Sequence, residues 1–154
     1  MVKEYNLFVE AEKCVGCHTC EVACKQEHDF PDGARCIRVT PDPPHEAGGK
    51  LRQTYTVMHC MHCRYPYCAY VCPVGAIIQR EDGLILVDEL VCVGCTACTY
   101  LCPLGIMQFN DEIRVALKCD LCVNRLDKGL QPACVAACPS HCLHLFSVNG
   151  HKEQ

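Results

Sequence analysis

The chain contains no tryptophan, and only four phenylalanines and six tyrosines stand among its 154 residues. So few large side chains build a thin hydrophobic core, and small folds with thin cores recruit disulfides or metal. Long apolar runs are missing too. The longest clean one, Leu84-Ile85-Leu86-Val87, is far too short to span a membrane. No export signal is visible: Met1-Val2-Lys3-Glu4-Tyr5-Asn6 mixes in acidic residues without an apolar core, and no twin-Arg pair stands near the start. The expectation is a soluble, cytoplasmic protein. A formal charge of −4 argues against a nucleic-acid binder relying on a basic surface. There is no Gly-rich dinucleotide loop, no P-loop and no catalytic-triad pattern, so the chain is not expected to catalyse a substrate reaction alone. Ten glycines and nine prolines imply turns and short elements, which excludes a coiled coil, a long helical bundle and a disordered tail.

Against these absences stand 18 cysteines. In a reducing cytosol such thiols stay reduced unless a metal takes them, which disfavours a disulfide scaffold. Sixteen of them fall into four groups. Cys14, Cys17, Cys20 and Cys24 are spaced C-x2-C-x2-C-x3-C, and Cys92, Cys95, Cys98 and Cys102 repeat that spacing. Cys60, Cys63, Cys68 and Cys72 run C-x2-C-x4-C-x3-C, and Cys119, Cys122, Cys134 and Cys138 run C-x2-C-x11-C-x3-C. Pro73, Pro103 and Pro139 directly follow the last cysteine of three groups, whereas Lys25 stands there in the first.

Three thiolates on one tight loop can wrap three irons of one cubane, and in two-cluster ferredoxins the fourth cysteine ligates the other cluster. Zinc ribbons use two separated Cys pairs and have no reason to add the third cysteine, the fourth and the proline. The small residues Gly16, Thr19, Gly94, Thr96 and Ala97 let backbone amides approach the cluster sulfurs. None of the groups shows the C-x3-C-x2-C spacing of a cluster with an open iron. Four thiolates per cluster leave no iron for substrate and point to electron carriage.

Adding 78 to each position of the first group gives the third, so the chain carries an internal duplication. Residues 53–111 read as one complete two-cluster unit, and residues 1–52 plus 112–154 as a second unit split around it. The fold class is α+β: two pseudo-symmetric bacterial-ferredoxin-like units, each with two 4Fe–4S clusters, short strands and short helices. A hairpin of Ala76–Gln79 and Leu84–Val87 is expected across Asp82-Gly83. Further strands are expected over Asn6–Glu10, Cys36–Thr40, Leu51–Met58, Ile106–Phe109, Ile113–Lys118 and Leu143–Ser147. Short helices are expected over Val22–His28, Tyr67–Val71, Ala97–Leu101 and Pro132–Ala137. The stretch Pro41–Gly49 reads as a turn-rich surface loop.

The chain resembles the four-cluster iron–sulfur subunits of molybdenum and tungsten oxidoreductases, such as dimethyl sulfoxide reductase and formate dehydrogenase, and the smaller subunits of tungsten aldehyde oxidoreductases. The resemblance rests on Cys14-Val15-Gly16-Cys17, His62-Cys63-Arg64-Tyr65-Pro66, Lys118-Cys119-Asp120-Leu121-Cys122, and Pro132-Ala133-Cys134 with Cys138-Pro139. Tyr67 and Cys142 depart from the family's usual Pro and Ala, and neither departure falls on a ligand position. The resemblance implies four ligand sets: Cys14, Cys17, Cys20 and Cys138; Cys24, Cys119, Cys122 and Cys134; Cys60, Cys63, Cys68 and Cys102; Cys72, Cys92, Cys95 and Cys98. It also implies a non-catalytic relay between a larger catalytic subunit, with tungsten or molybdenum pterin, and a second redox subunit or carrier that is flavin, quinone-linked or ferredoxin. Sixteen thiolates and four oxidised cores would bring the holo charge to about −12, favouring partners with basic docking surfaces.

Two rivals stay open: a free-standing polyferredoxin shuttle and a zinc-stapled interaction module. Periplasmic residence by co-export with a signal-bearing partner and self-association stay open too. Cys36 and Cys142 read as buried small hydrophobes. His18, His59, His62 and His141 neighbour ligands and are candidates for hydrogen bonds to cluster sulfur, and Tyr65, Tyr67, Tyr70 and Tyr100 for packing that keeps water off the clusters. Arg64 and Arg125 read as partner-facing or solvated charges.

Overall fold

Short apolar runs broken by glycine, proline and ligand loops leave room only for short elements. The computed structural model describes residues 5–147 and the backbone of 151–152. Residues 1–4, read above for an export signal, lie outside it. The elements are β1 (Tyr5–Val9), α1 (Thr19–His28), β2 (Ile37–Pro41), β3 (His45–Ala47), β4 (Lys50–Arg52), β5 (Tyr55–His59), α2 (Tyr67–Tyr70), β6 (Ile77–Gln79), β7 (Ile85–Val87), α3 (Ala97–Leu101), β8 (Gln108–Asn110), β9 (Val115–Leu117), α4 (Val123–Leu126), α5 (Ala133–Ala136), β10 (Leu143–Ser147) and β11 (His151–Lys152). Only α1, at 10 residues, exceeds five residues among the described helices. A mixed α/β arrangement of short pieces is what the composition implied.

Strand β1 pairs antiparallel with β10, Tyr5 opposite Ser147 and Val9 opposite Leu143, so an early and a late stretch of the described residues meet in one sheet. Alternation buries Leu143 and Leu145 on β10 and Ile37 and Val39 on β2, which pairs with β5. The hairpin of β6 and β7 forms where expected, Gly83 taking φ +81° in the turn. A further hairpin joins β8 and β9.

Three differences from expectation have local causes. The Pro41–Gly49 loop is partly a hairpin, β3 against β4, because Gly48 and Gly49 supply the two positive φ values, +61° and +72°, that a two-residue turn demands. The strand expected over Leu51–Met58 is therefore divided: Leu51 belongs to that exposed hairpin, and β5 begins at Tyr55. Helix α4, unforeseen, starts directly after the ligand loop at Cys122, where Leu121 and Cys122 take φ +58° and +51°.

The main core cluster joins Leu7, Val39 and Leu143 from the outer stretches to Cys60, Leu84 and Ile106 of the central one. Eight buried cysteines sit in that cluster. The interior is thus built around sulfur, with aromatic residues, Tyr5, Phe30 and Tyr55, packed only half-buried against it.

Candidate metal centres

The ligand loops are bent by residues that few backbones tolerate. Gly16 and Gly94 both have φ +67°, and His18 and Thr96 follow at +58° and +62°. Both pairs are 78 positions apart, and α1 and α3 start right after them, so the duplication read in the cysteines is repeated in the backbone. A left-handed non-glycine residue costs about 1–2 kcal/mol. Such residues cluster at functional sites, and here His18, His62, Thr96, Leu121, Cys122 and His141 all lie inside or beside Cys groups.

The cysteines gather around four places. Cys14, Cys17, Cys20 and Cys138, with Cys142 beside them, line one cavity, with about 300 Å³ of atom-free space. Cys60, Cys63, Cys68 and Cys102 line a second, of about 430 Å³. Cys72, Cys92, Cys95 and Cys98 line a third, of about 340 Å³. The remaining four, Cys24, Cys119, Cys122 and Cys134, are all buried, and the Cys24 thiol is pushed up by burial and then by Cys119, Cys134 and Cys122 as well as by Cys36. Each set draws cysteines from at least two of the sequence groups.

The donor chemistry fits a cluster and not a single ion. Zinc bonds sulfur at about 2.3 Å, which puts four thiolates within roughly 4 Å of one another. Among the described residues, the trio of ligand atoms found within 4.8 Å of one another is His28, Asp120 and Cys122, and no three cysteine sulfurs draw together so. The sulfurs stand back around space for a multi-atom group. Burial pushes the thiols of Cys20 and Cys119 up to about 12 and those of Cys98 and Cys122 up to about 11. Thiols so placed ionise only when a metal takes the proton's place.

Amides already point at sulfur. The Ala76 N–H donates to Cys72 Sγ at 3.2 Å and the Leu121 N–H to Cys119 Sγ at 3.4 Å. At Cys72 burial raises the thiol, but the amides of Val74, Ala76, Ile77 and Gly75 together leave it below its ordinary value. At Cys138 burial is likewise outweighed, by the Ser140 hydroxyl and by the backbone and thiol of Cys142, and the thiol falls to about 7. Such donors stabilise thiolate ligands and tune a cluster's potential.

Each set neighbours the next. Cys20 acts on Cys134, Cys60 on Cys119, and Cys68 on Cys98. In that order we number the candidate centres first (Cys14, Cys17, Cys20, Cys138), second (Cys24, Cys119, Cys122, Cys134), third (Cys60, Cys63, Cys68, Cys102) and fourth (Cys72, Cys92, Cys95, Cys98). Only the end sets hold an exposed cysteine, Cys17 in the first and Cys95 in the fourth. Exposed valines, Val15 and Val93, flank them at equivalent positions of the repeat.

Several neighbours differ from expectation. His18 contacts Glu21 at 3.2 Å, His59 faces the Cys60 carbonyl at 3.0 Å, and His62 accepts the Ile85 N–H at 2.9 Å, so the bonds found for these three go elsewhere than sulfur. The histidine that reaches a ligand is His28, its Nε2 3.4 Å from Cys122 Sγ and 3.3 Å from Asp120 Oδ1. Its position four residues after Cys24 on α1 was the available signal, since residues at that spacing share a helix face. Tyr65, Tyr70 and Tyr100 are exposed and line none of these three cavities, unlike the expectation, whereas Tyr67, itself largely exposed, lines the cavity of Cys60, Cys63, Cys68 and Cys102 as expected. Cys36 and Cys142 are buried, as expected, with Cys142 Sγ 3.5 Å from Cys138 Sγ. Arg125 is bound within the chain, to the Gln131 carbonyl at 2.8 Å and to Glu27 at 3.1 Å.

Residues 51–148 match a 4Fe-4S dicluster domain family. One polypeptide of the anaerobic dimethyl sulfoxide reductase of Escherichia coli is 38% identical over 160 residues, covering 97% of this chain and 76% of that one. A thiosulfate reductase electron transfer subunit of Salmonella typhi is 36% identical, covering 93% of this chain and 76% of its own. A subunit of the tetrathionate reductase of Salmonella typhimurium is 39% identical, covering 87% of this chain and 54% of its own.

Proposed function

The protein belongs to the 4Fe-4S dicluster domain family, and from that premise we propose that it is the electron-transfer subunit of an oxidoreductase complex, holding four 4Fe–4S clusters in line. When bound, each cluster takes up and gives back one electron at a time. The ligands are the four sets numbered above, with Cys20 and Cys24 sending neighbouring helix positions to two different centres. The two-unit organisation is 53–111 and 1–52 plus 112–154, each unit ferredoxin-like.

The observation that carries this reading is the succession of sets. Each of the four cysteine sets neighbours the next, the second is wholly buried, and the first and fourth each hold an exposed cysteine. Such a succession suits entry at one end and exit at the other. The chain's residues exclude water from the middle, fix the ligand loops through left-handed turns and aim amides at sulfur. Catalysis belongs to another subunit, in keeping with relatives that are named as single components of multi-subunit reductases, one of them as the electron transfer subunit. That other subunit holds molybdenum or tungsten pterin, by the resemblance drawn from the motifs, and the far end of the line meets a flavin, quinone-linked or ferredoxin partner. No described helix is long and apolar enough to cross a membrane. We place the complex in the cytoplasm, co-export with a partner being the alternative.

Native gel filtration of an anaerobic extract tests the subunit role. Co-elution of the iron with a larger oxidoreductase polypeptide is expected. Elution of all of it near 17.1 kDa would favour the free-standing shuttle.

A further inference from the structure

One buried charge has no place in the ligand scheme. Lys118 follows β9, directly precedes Cys119, and is 6% exposed. Its ammonium donates to the Cys119 carbonyl at 2.6 Å and to the Ile85 carbonyl. No described carboxylate forms a salt bridge with it. The carbonyls bind its donors, and Glu89 and Asp120 line a cavity with it without reaching salt-bridge distance; a buried charge without a close partner is strongly unfavourable.

Sulfur lies within reach of the ammonium on both sides. Burial raises the thiols of Cys119, of the second centre, and of Cys63 and Cys68, of the third, and in each the Lys118 charge opposes that rise. Ile85, whose carbonyl it holds, lines the third cavity. It therefore stands where the second centre adjoins the third. That junction differs from the others. Helix α1 carries Cys20 of the first centre and Cys24 of the second, and α2 with the residues just after it carries Cys68 of the third and Cys72 of the fourth. No described helix carries ligands of both the second and third centres.

Resting on the four-cluster reading, we propose that Lys118 is a positioning residue for electron transfer: its buried ammonium, shared by the second and third centres, raises the reduction potential of both. The physical basis is simple. Reduction adds one negative charge to a cluster, a fixed neighbouring cation favours the more negative state, and a low local dielectric magnifies the effect. Two carbonyls hold the ammonium in place, so no reorganisation is needed as the electron passes.

The test uses the holo protein with Lys118→Met, Lys118→Gln and Lys118→Arg. Iron per chain is counted, and each centre's potential is taken from a redox titration followed by low-temperature paramagnetic resonance. Cys122→Ser and Cys63→Ser assign the signals of the second and third centres. We expect both neutral variants to keep their iron while the second and third centres become about tenfold harder to reduce, which is about 59 mV for a one-electron couple. The first and fourth centres should stay put, and Lys118→Arg should hold all four near wild type. Unmoved potentials, a uniform shift of all four, or recovery in Lys118→Gln would overturn the proposal, the last by assigning the effect to hydrogen bonding. Loss of iron in both neutral variants but not in Lys118→Arg would also overturn it, by making the residue a structural support. A wild-type protein without the iron would instead defeat the four-cluster reading, which the variants do not address.

Discussion

Cys20 and Cys24 stand one turn apart on α1, yet their surroundings differ: Cys20 lines the cavity of Cys14, Cys17 and Cys138, and Cys24 is influenced by Cys119, Cys122 and Cys134. In the proposed ligand scheme helix α1 is thereby a strut between two centres. Cys24→Ser should remove the second centre and spare the first, lowering iron by up to about four per chain. Cys20→Ser should do the reverse. Iron analysis with low-temperature resonance spectra checks this, and loss of the same signal in both variants would refute the crossed arrangement.

The two equivalent glycines should differ in their tolerance. A Cβ on Gly94 would lie 2.5 Å from the Arg114 carbonyl oxygen, which is backbone and cannot swing away. On Gly16 it would meet the Tyr55 ring at 2.3 Å, a side chain that can turn. Both substitutions carry the left-handed cost of about 1–2 kcal/mol, but Gly94→Ala should add a clash of about 2 kcal/mol or more. Thermal melts of the holo proteins are expected to rank Gly94→Ala well below Gly16→Ala. Tyr55→Ala should rescue much of Gly16→Ala, and an equal loss in both glycine variants would contradict the geometry.

Much of the site was legible in the cysteines because ligand spacing on a tight loop is set by cluster chemistry, and the 78-residue offset marked the repeat directly. The β6–β7 hairpin was legible through Asp82-Gly83. What was hidden depended on distance in space. His28 touches Cys122 across 94 positions, and Lys118 donates to Ile85 across 33. Neither contact leaves a periodic trace. The β3–β4 hairpin was missed for another reason: Pro41, Pro43 and Pro44 masked the Gly48-Gly49 turn signal.

Arg80 joins the central stretch to the outer one by a two-pronged contact with Asp127, at 2.9 and 3.1 Å. The guanidinium's hydrogen bonds hold the Asp127 carboxyl below its ordinary value of 3.8. The folded pKa is depressed, so this stabilisation is present above the unfolded pKa and is lost as pH falls through the folded one. The melting difference between wild type and Arg80→Met should be largest near pH 6 in low salt. It should shrink below about pH 4 and in high salt, because Asp127 is exposed. A difference that persists at pH 3 would refute the pairing.

Metal removal should unfold the chain. Its core is lined with cysteines held in strained loops, and in the proposed scheme the crossed ligands tie the elements together. Anaerobic chelation is expected to abolish the native circular dichroism together with the iron. An iron-free chain that keeps its native spectrum would show that the core suffices.

The central claim is that sixteen of the cysteines hold four iron–sulfur cubanes. Metal and acid-labile sulfide analysis of the anaerobically purified protein tests it most directly. The account predicts about 16 iron and about 16 sulfide per chain, with a brown colour that bleaches on reduction. A few zinc ions per chain, with neither iron nor sulfide, would contradict it.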